Sequence, residues 1–191
     1  MAFNENTQNM VRKIIITGGP CVGKTTTINL LKGPGIHVVD EVPRDIIAAE
    51  LKKKEQDPLY EPIVPWTKFE AFQHAIIEEQ LKRELTVPAQ THTILLDRSL
   101  VDLIGYCKVA GKQAPQQLIS HIKKAGYTKV IFLDQLPSYE TDSERKEDPE
   151  MAAKIHQEIL NGYKELGFDV MIVPPFEGKA KERAEFVKKH L

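Results

Sequence analysis

The chain has 191 residues, 41% of them apolar and 28% charged, with a formal net charge of -1. That length accommodates one domain with a real core, and the composition is that of an ordinary globular chain. The near-zero charge excludes a general pull toward nucleic acid or anionic membranes and leaves the many Lys and Glu residues as solvated helix faces.

Residues 1–10 are polar, lack the apolar core of a secretory signal, and are expected to be a disordered lead-in to one domain over 11–191. Lys13–Thr17 is a β-branched run suited to a strand buried on both faces. A glycine-rich stretch follows, then a helix from Gly23 to Leu31, which Gly33-Pro34-Gly35 stops. Ile36–Asp40 reads as a second strand, and Arg44–Lys54 as a helix. Prolines at 58, 62 and 65 make Glu55–Pro65 a loop. Phe69, Phe72, Ile76, Ile77 and Leu81 recur at helical spacing in a helix over Thr67–Leu85. Thr93–Asp97 is the third strand. Leu100–Lys112 and Pro115–Ala125 read as helices divided at Gly111. Lys129–Leu133 is the fourth strand. Pro137–Pro149 is polar and lacks an apolar period. Met151–Leu166 reads as a helix closed by Gly167, Asp169–Val173 as the fifth strand, and Glu182–His190 as the last helix. His74 and His156 are expected on helix surfaces, without a role. Alternating strands and helices imply an α/β fold: a parallel sheet with helices on both faces.

Two cysteines, Cys21 and Cys107, form no disulfide framework and no metal-binding spacing, which suits a reducing compartment and a cytoplasmic location. No apolar run approaches the roughly 20 residues that a membrane-spanning helix needs.

Gly18-Gly19-Pro20-Cys21-Val22-Gly23-Lys24-Thr25, with Thr26 after it, fits G-x-x-x-x-G-K-[ST]. Its glycines let the backbone curl so that successive N–H groups point at phosphate oxygens, and the following helix turns its positive end to the same anion. Lys24 places a cation on the β- and γ-phosphates, and Thr25 offers a hydroxyl to Mg²⁺. A strand directly before the loop and a helix directly after it supply the context that the pattern requires. The implied ligand is ATP, with GTP possible, together with Mg²⁺. ATP is the default donor because the region after the fourth strand, Leu133-Asp134-Gln135, lacks an N-K-x-D element for guanine.

Asp97 ends a buried strand, where α/β sheets gather their ligands. Two readings stand for it: a second carboxylate that reaches Mg²⁺ through water, or a cap for the next helix. Two stand also for Arg98 and Asp102: an ordinary i,i+4 pair, or a pair that holds and orients an acceptor.

Asp97-Arg98-Ser99 resembles the D/E-R-S element of nucleoside and nucleotide kinases, and Glu41-Val42-Pro43-Arg44 resembles their E-x-x-R element. More broadly the chain resembles the AAA-type family related to the nicotinamide riboside kinase domain of NadR. That likeness is carried by Ile16–Thr26, Glu41 with Arg44, Pro65-Trp66, Phe72-Gln73, Asp97-Arg98 with Asp102, Arg145-Lys146-Glu147-Asp148 and Tyr163–Phe168. It extends from about residue 11 to the end. The resemblance implies a three-layer P-loop kinase fold with a five-stranded parallel sheet of order 2-3-1-4-5 and a lid. It implies that Lys24, Glu41, Asp97 and Arg145 are catalytic and that Thr25 and Asp97 serve the metal. Glu41, Arg44, Trp66, Gln73, Arg98 and Asp102 would form the acceptor site. Trp66 is equally readable as a core residue, Gln73 as an exposed helix residue, and Ser138–Asp148 as a solvated loop rather than a lid. Cys21 departs from the small residues usual at its position, which backbone binding tolerates and which leaves open a redox-sensitive thiol.

The expectation is a kinase that moves the ATP γ-phosphate to a hydroxyl of a small nucleoside-like acceptor. The alternative is a nucleotide-binding regulatory ATPase or GTPase with a protein or lipid partner. A nucleic-acid remodelling motor is not expected, for lack of a basic patch and of a further helical domain, and no nucleic-acid partner or transmembrane segment is expected.

Overall fold

The computed structural model describes residues 11–137 and 148–191. The expected lead-in and Arg145, with most of the expected lid, lie outside the described residues. The strands are β1 (Arg12–Thr17), β2 (Ile36–Val39), β3 (Thr93–Asp97), β4 (Tyr127–Leu133) and β5 (Val170–Val173). The helices are α1 (Lys24–Leu31), α2 (Val42–Gln56), α3 (Phe69–Leu85), α4 (Asp102–Val109), α5 (Leu118–Ala125), α6 (Pro149–Glu165) and α7 (Ala180–Lys188). A turn of 3-10 helix, Phe176–Gly178, precedes α7.

The strands form one parallel five-stranded sheet in the order β2-β3-β1-β4-β5. Successive side chains on a strand face opposite ways, so each central strand feeds two cores. Ile15, Leu96, Val130 and Phe132 face one side, against Phe72 and Ile76 of α3, Leu103 of α4 and Ile155 and Ile159 of α6. Ile14, Ile16, Leu95 and Ile131 face the other, against Ile28 and Leu31 of α1 and Val187 of α7. Each such aliphatic side chain contributes about 1.5–3 kcal/mol by leaving water. Helices thus cover both faces of the sheet, in three layers.

Element boundaries differ from the expected ones where local chemistry overrides the apolar pattern. Helix α2 starts at Val42 with Pro43 in its first turn, where proline loses no needed hydrogen bond. Helix α6 starts at Pro149, because the Asp148 side chain accepts a 2.8 Å bond from the Met151 N–H as its cap. Helix α4 starts only at Asp102, since Arg98 takes φ +74° and the chain must turn first.

The register places the site. Ile16 of β1 lies opposite Asp97 of β3, and the Arg98 N–H bonds the Ile16 carbonyl at 3.1 Å. The loop after β1 and the carboxylate ending β3 therefore emerge side by side, at the carboxyl edge of the sheet where α/β folds bind ligands.

Candidate functional site

Gly18 begins the loop with φ +138°, and a Cβ there would lie 2.4 Å from the Leu133 carbonyl oxygen. Gly23 caps α1 in the left-handed region, φ +79°, and Cys21 reaches that region without being glycine, at φ +59°. Both turns curl the backbone around the start of α1. No side chain caps that helix, and no acidic residue sits in its first turn. Its first N–H groups and its positive end are thus left to an anion.

Three basic side chains grip this loop from outside. Arg183 of α7, fully buried, donates to the Val22 carbonyl at 2.6 Å and also to the carbonyls of Asp134 and Val173. A trans peptide points its C=O and N–H opposite ways. Fixing the Val22 carbonyl on Arg183 therefore turns the Gly23 N–H to the inner side of the loop. Burial pushes Arg183 down to about 10, with Asp134 opposing. Arg98 donates to the Gly18 carbonyl at 3.0 Å. On the other side of the same peptide, the Gly19 N–H donates to Nδ1 of His156 at 3.1 Å.

The burial of His156 corrects its reading as a helix-surface residue, and the burial of Gln73 removes the exposed-residue alternative for that side chain. His156 is buried on α6, its ring edge-on to Phe132 and its Nε2 3.2 Å from the Asp134 carboxylate. Accepting from Gly19 at Nδ1 fixes the neutral tautomer with the proton on Nε2. Burial lowers its pKa against the pull of Asp134. His74 is exposed, as expected, and contacts Gln117 at 3.0 Å.

Lys24 is buried and donates to the Gly19 carbonyl at 2.8 Å, folded back on its own loop. Burial first, then Arg98, hold its pKa down to about 8. Thr25 donates to Oδ2 of Asp97 at 3.2 Å. Oδ1 of Asp97 is buried with no hydrogen-bond partner among the described residues, and burial raises this carboxyl above its usual range against the pull of Lys24. A hydroxyl against one oxygen and an orphaned second oxygen suit a hard cation held by oxygen ligands, so the residues fit Mg²⁺.

Next to the loop, Arg98 joins both carboxylates. Its Nε meets Glu41 at 2.8 Å and its Nη1 meets Asp102 at 3.1 Å, with the guanidinium over the Tyr106 ring at 5.5 Å. The Arg98–Asp102 pair spans the turn before α4 rather than one helix face, because Arg98 is not helical. Both Asp102 oxygens are used: Oδ2 also accepts from Thr17 at 2.8 Å, and Oδ1 from the Tyr163 hydroxyl at 2.6 Å. Tyr163 in turn meets Ser99 at 2.7 Å. Glu41 also meets Arg44 at 3.1 Å. Burial works to raise the Glu41 pKa, but Arg98, Lys24 and Arg44 prevail and hold it at about 2.

Behind Arg98 lies a cavity of about 170 Å³, lined by residues that include Pro43, Phe69, Phe72, Gln73, Asp102 and Tyr106. Gln73 is 3% exposed, and its Oε1 has no hydrogen-bond partner among the described residues. Trp66 is half exposed and is not among the residues lining this cavity. The site thus brings together Lys24, Thr25, Glu41, Arg44, Asp97, Arg98 and Asp102, with Gln73 one layer behind. Sequence reasoning missed Thr17, Tyr163, His156 and Arg183. Of these, Thr17 and Tyr163 lay within stretches that the family resemblance marked.

Among the described residues no helix is long and apolar enough to cross a membrane. Residues 13–183 match the sequence model of a family described as an AAA domain. No curated protein matches the chain.

Proposed function

Because this chain belongs to the AAA-domain family, whose P-loop binds nucleotide and generally Mg²⁺, we propose that it is an ATP- and Mg²⁺-dependent kinase acting on a hydroxyl of a small nucleoside-like acceptor. The observation that carries this reading is the cavity beside the Glu41–Arg98 pair, next to the phosphate loop. It gives an acceptor a place to sit with its hydroxyl toward the loop. The likeness to the NadR nicotinamide riboside kinase domain points the same way, and GTP is the second candidate donor.

In this reading the loop amides between Cys21 and Thr26 and the side chain of Lys24 hold the triphosphate, and Thr25 and Asp97 would hold Mg²⁺, which would supply neutralisation of the phosphate charge. Lys24 leaves the Gly19 carbonyl for the phosphates. The acceptor oxygen bonds to the γ-phosphorus as the bond to the β,γ-bridging oxygen breaks, and the hydroxyl proton passes toward Glu41. Arg44 and Arg98 keep Glu41 ionised. Asp102, with both oxygens engaged, orients Arg98 rather than touching the acceptor. Trp66 would reach the acceptor from beside Pro65, which lines the cavity, and Arg145 would act from the lid. We propose further that residues 11–191 form one domain after a lead-in of ten residues and that the protein works in the cytoplasm.

A screen of hydroxyl acceptors with radiolabelled ATP tests this. The expected result is a phosphorylated small molecule, with turnover reduced at least 100-fold in Glu41→Gln and Asp97→Asn. ATP turnover indifferent to every acceptor contradicts it.

A second reading, a nucleotide-dependent regulator with a protein or lipid partner, is favoured by one observation. A carboxylate held at about 2 is a weak proton acceptor, and Arg98 is already spent on Glu41, Gly18 and Asp102. A stable partner in pull-downs that depends on the bound nucleotide would support it.

A further inference from the structure

We infer that the cavity beside Gln73 takes a single six-membered ring with an amide-like edge, an N–H next to a C=O, and refuses a fused two-ring base. This deepens the acceptor reading above and rests on it.

Size argues for one ring. A cavity of roughly 150 Å³ with apolar walls is known to hold a benzene molecule. At about 170 Å³, this one has room for a ring of that size and a small substituent. Its walls are apolar faces, among them Ile47, Phe69, Phe72, Ile76 and Tyr106, which suit the flat faces of a ring.

Polar chemistry argues for the edge. Most polar groups in the wall are already used within the chain. Arg98 and Asp102 bond each other, Ser99 meets Tyr163 and Val101, and Gln80 donates to Glu84 at 2.9 Å. Gln73 is the exception: it is buried, it lines the cavity, and its Oε1 lacks a partner. Buried amide oxygens are rarely left so. A carboxamide carries an acceptor and a donor side by side and can turn to present either. Its natural complement is another amide-like edge, paired through two hydrogen bonds. A charged ring would be desolvated among these walls with no free counter-charge, so the ring is neutral.

The test measures dissociation constants of uridine, 3-methyluridine and inosine by calorimetry, with the full chain saturated by Mg²⁺ and a non-hydrolysable ATP analogue. Uridine and inosine share the amide-like edge and differ in ring count. The 3-methyl group replaces the N–H with a methyl, and the Gln73→Leu comparison separates the lost hydrogen bond from the added bulk. The expected result is uridine binding at least tenfold tighter than either of the others. Gln73→Leu should weaken uridine at least tenfold and leave 3-methyluridine within twofold. Inosine binding as tightly as uridine overturns the inference, as do indifference to the methyl group and failure of uridine to bind. The ring-count comparison stands on the native chain alone, whether or not Gln73→Leu folds. Uridine that binds with this pattern yet takes no phosphate from labelled ATP supports the cavity assignment and contradicts the kinase reading.

Discussion

At the scale of single residues, the site is a set of charges held away from their ordinary states by burial. Lys24 is the sharpest case. Its pKa sits near 8 because burial penalises its charge, with Arg98 adding to the effect. In the proposed reading its charged form holds phosphate, so ATP affinity should fall as pH rises above about 8, before any loss of fold. Isothermal titration between pH 7 and 9.5 checks this, with Lys24→Arg, whose charge does not titrate in that range, as the pH-insensitive control. His156 shows the opposite sign. Its folded pKa lies below the unfolded value of about 6.5, so the unfolded state takes up the proton first and stability falls as pH drops below about 6.5. His156→Leu leaves the buried Gly19 N–H without an acceptor and should cost about 1–3 kcal/mol. Urea unfolding at pH 7.5 measures that cost, and the variant should also lose the part of the acid-side slope that sets in just below about pH 6.5. Neither His156 nor Arg183 could be assigned from sequence, because each meets the loop from the far end of the chain: Gly19 and His156 are 137 positions apart, Val22 and Arg183 are 161. A lone His on an amphipathic helix carries no sign of which backbone group it will face. Lys24, Thr25 and Asp97 were legible because their spacing or their place at a strand end is itself the signal.

At the scale of elements, close approach decides more than propensity. Helix α4 lies so near α6 that a Cβ on Gly105 would sit 2.6 Å from the Ile159 nitrogen. Gly105→Ala should therefore destabilise by about 1–3 kcal/mol despite alanine being the better helix former. Chemical denaturation against wild type gives the number. Gly19 has a similar constraint, since a Cβ there would meet the Cβ of His156 at 2.7 Å. The strands and most helices were readable from apolar runs and 3.6-residue periods, and β3 matched residue for residue. Helix starts were less so. The pattern began α2, α6 and α7 two residues late and α4 two residues early, because caps, a first-turn proline and the left-handed Arg98 are set by backbone geometry rather than by hydrophobic period.

At the scale of the molecule, the order β2-β3-β1-β4-β5 puts the loop and the Asp97 carboxylate on adjacent strands, and two cores on opposite faces hold the sheet rigid beneath them. Ligand binding to such a frame should register as global stability. At a hundredfold excess over the dissociation constant, Mg²⁺-ATP should stabilise by about 2.7 kcal/mol, which raises Tm by about 5–10 °C for a chain of this size. If residues 11–191 are one domain, calorimetry should show a single transition whose measured and van't Hoff enthalpies agree. The proposed nucleotide binding depends most on the cup formed by the Gly18–Thr25 backbone, with Lys24 inside it and Asp97 beside it. Calorimetric titration with ATP, with and without Mg²⁺, on the native chain and on Lys24→Ala and Asp97→Asn, tests that directly. The predicted result is one site per chain that tightens with Mg²⁺, is lost in Lys24→Ala, and loses its Mg²⁺ dependence in Asp97→Asn. Equal ATP affinity in all three proteins, with or without Mg²⁺, would contradict it.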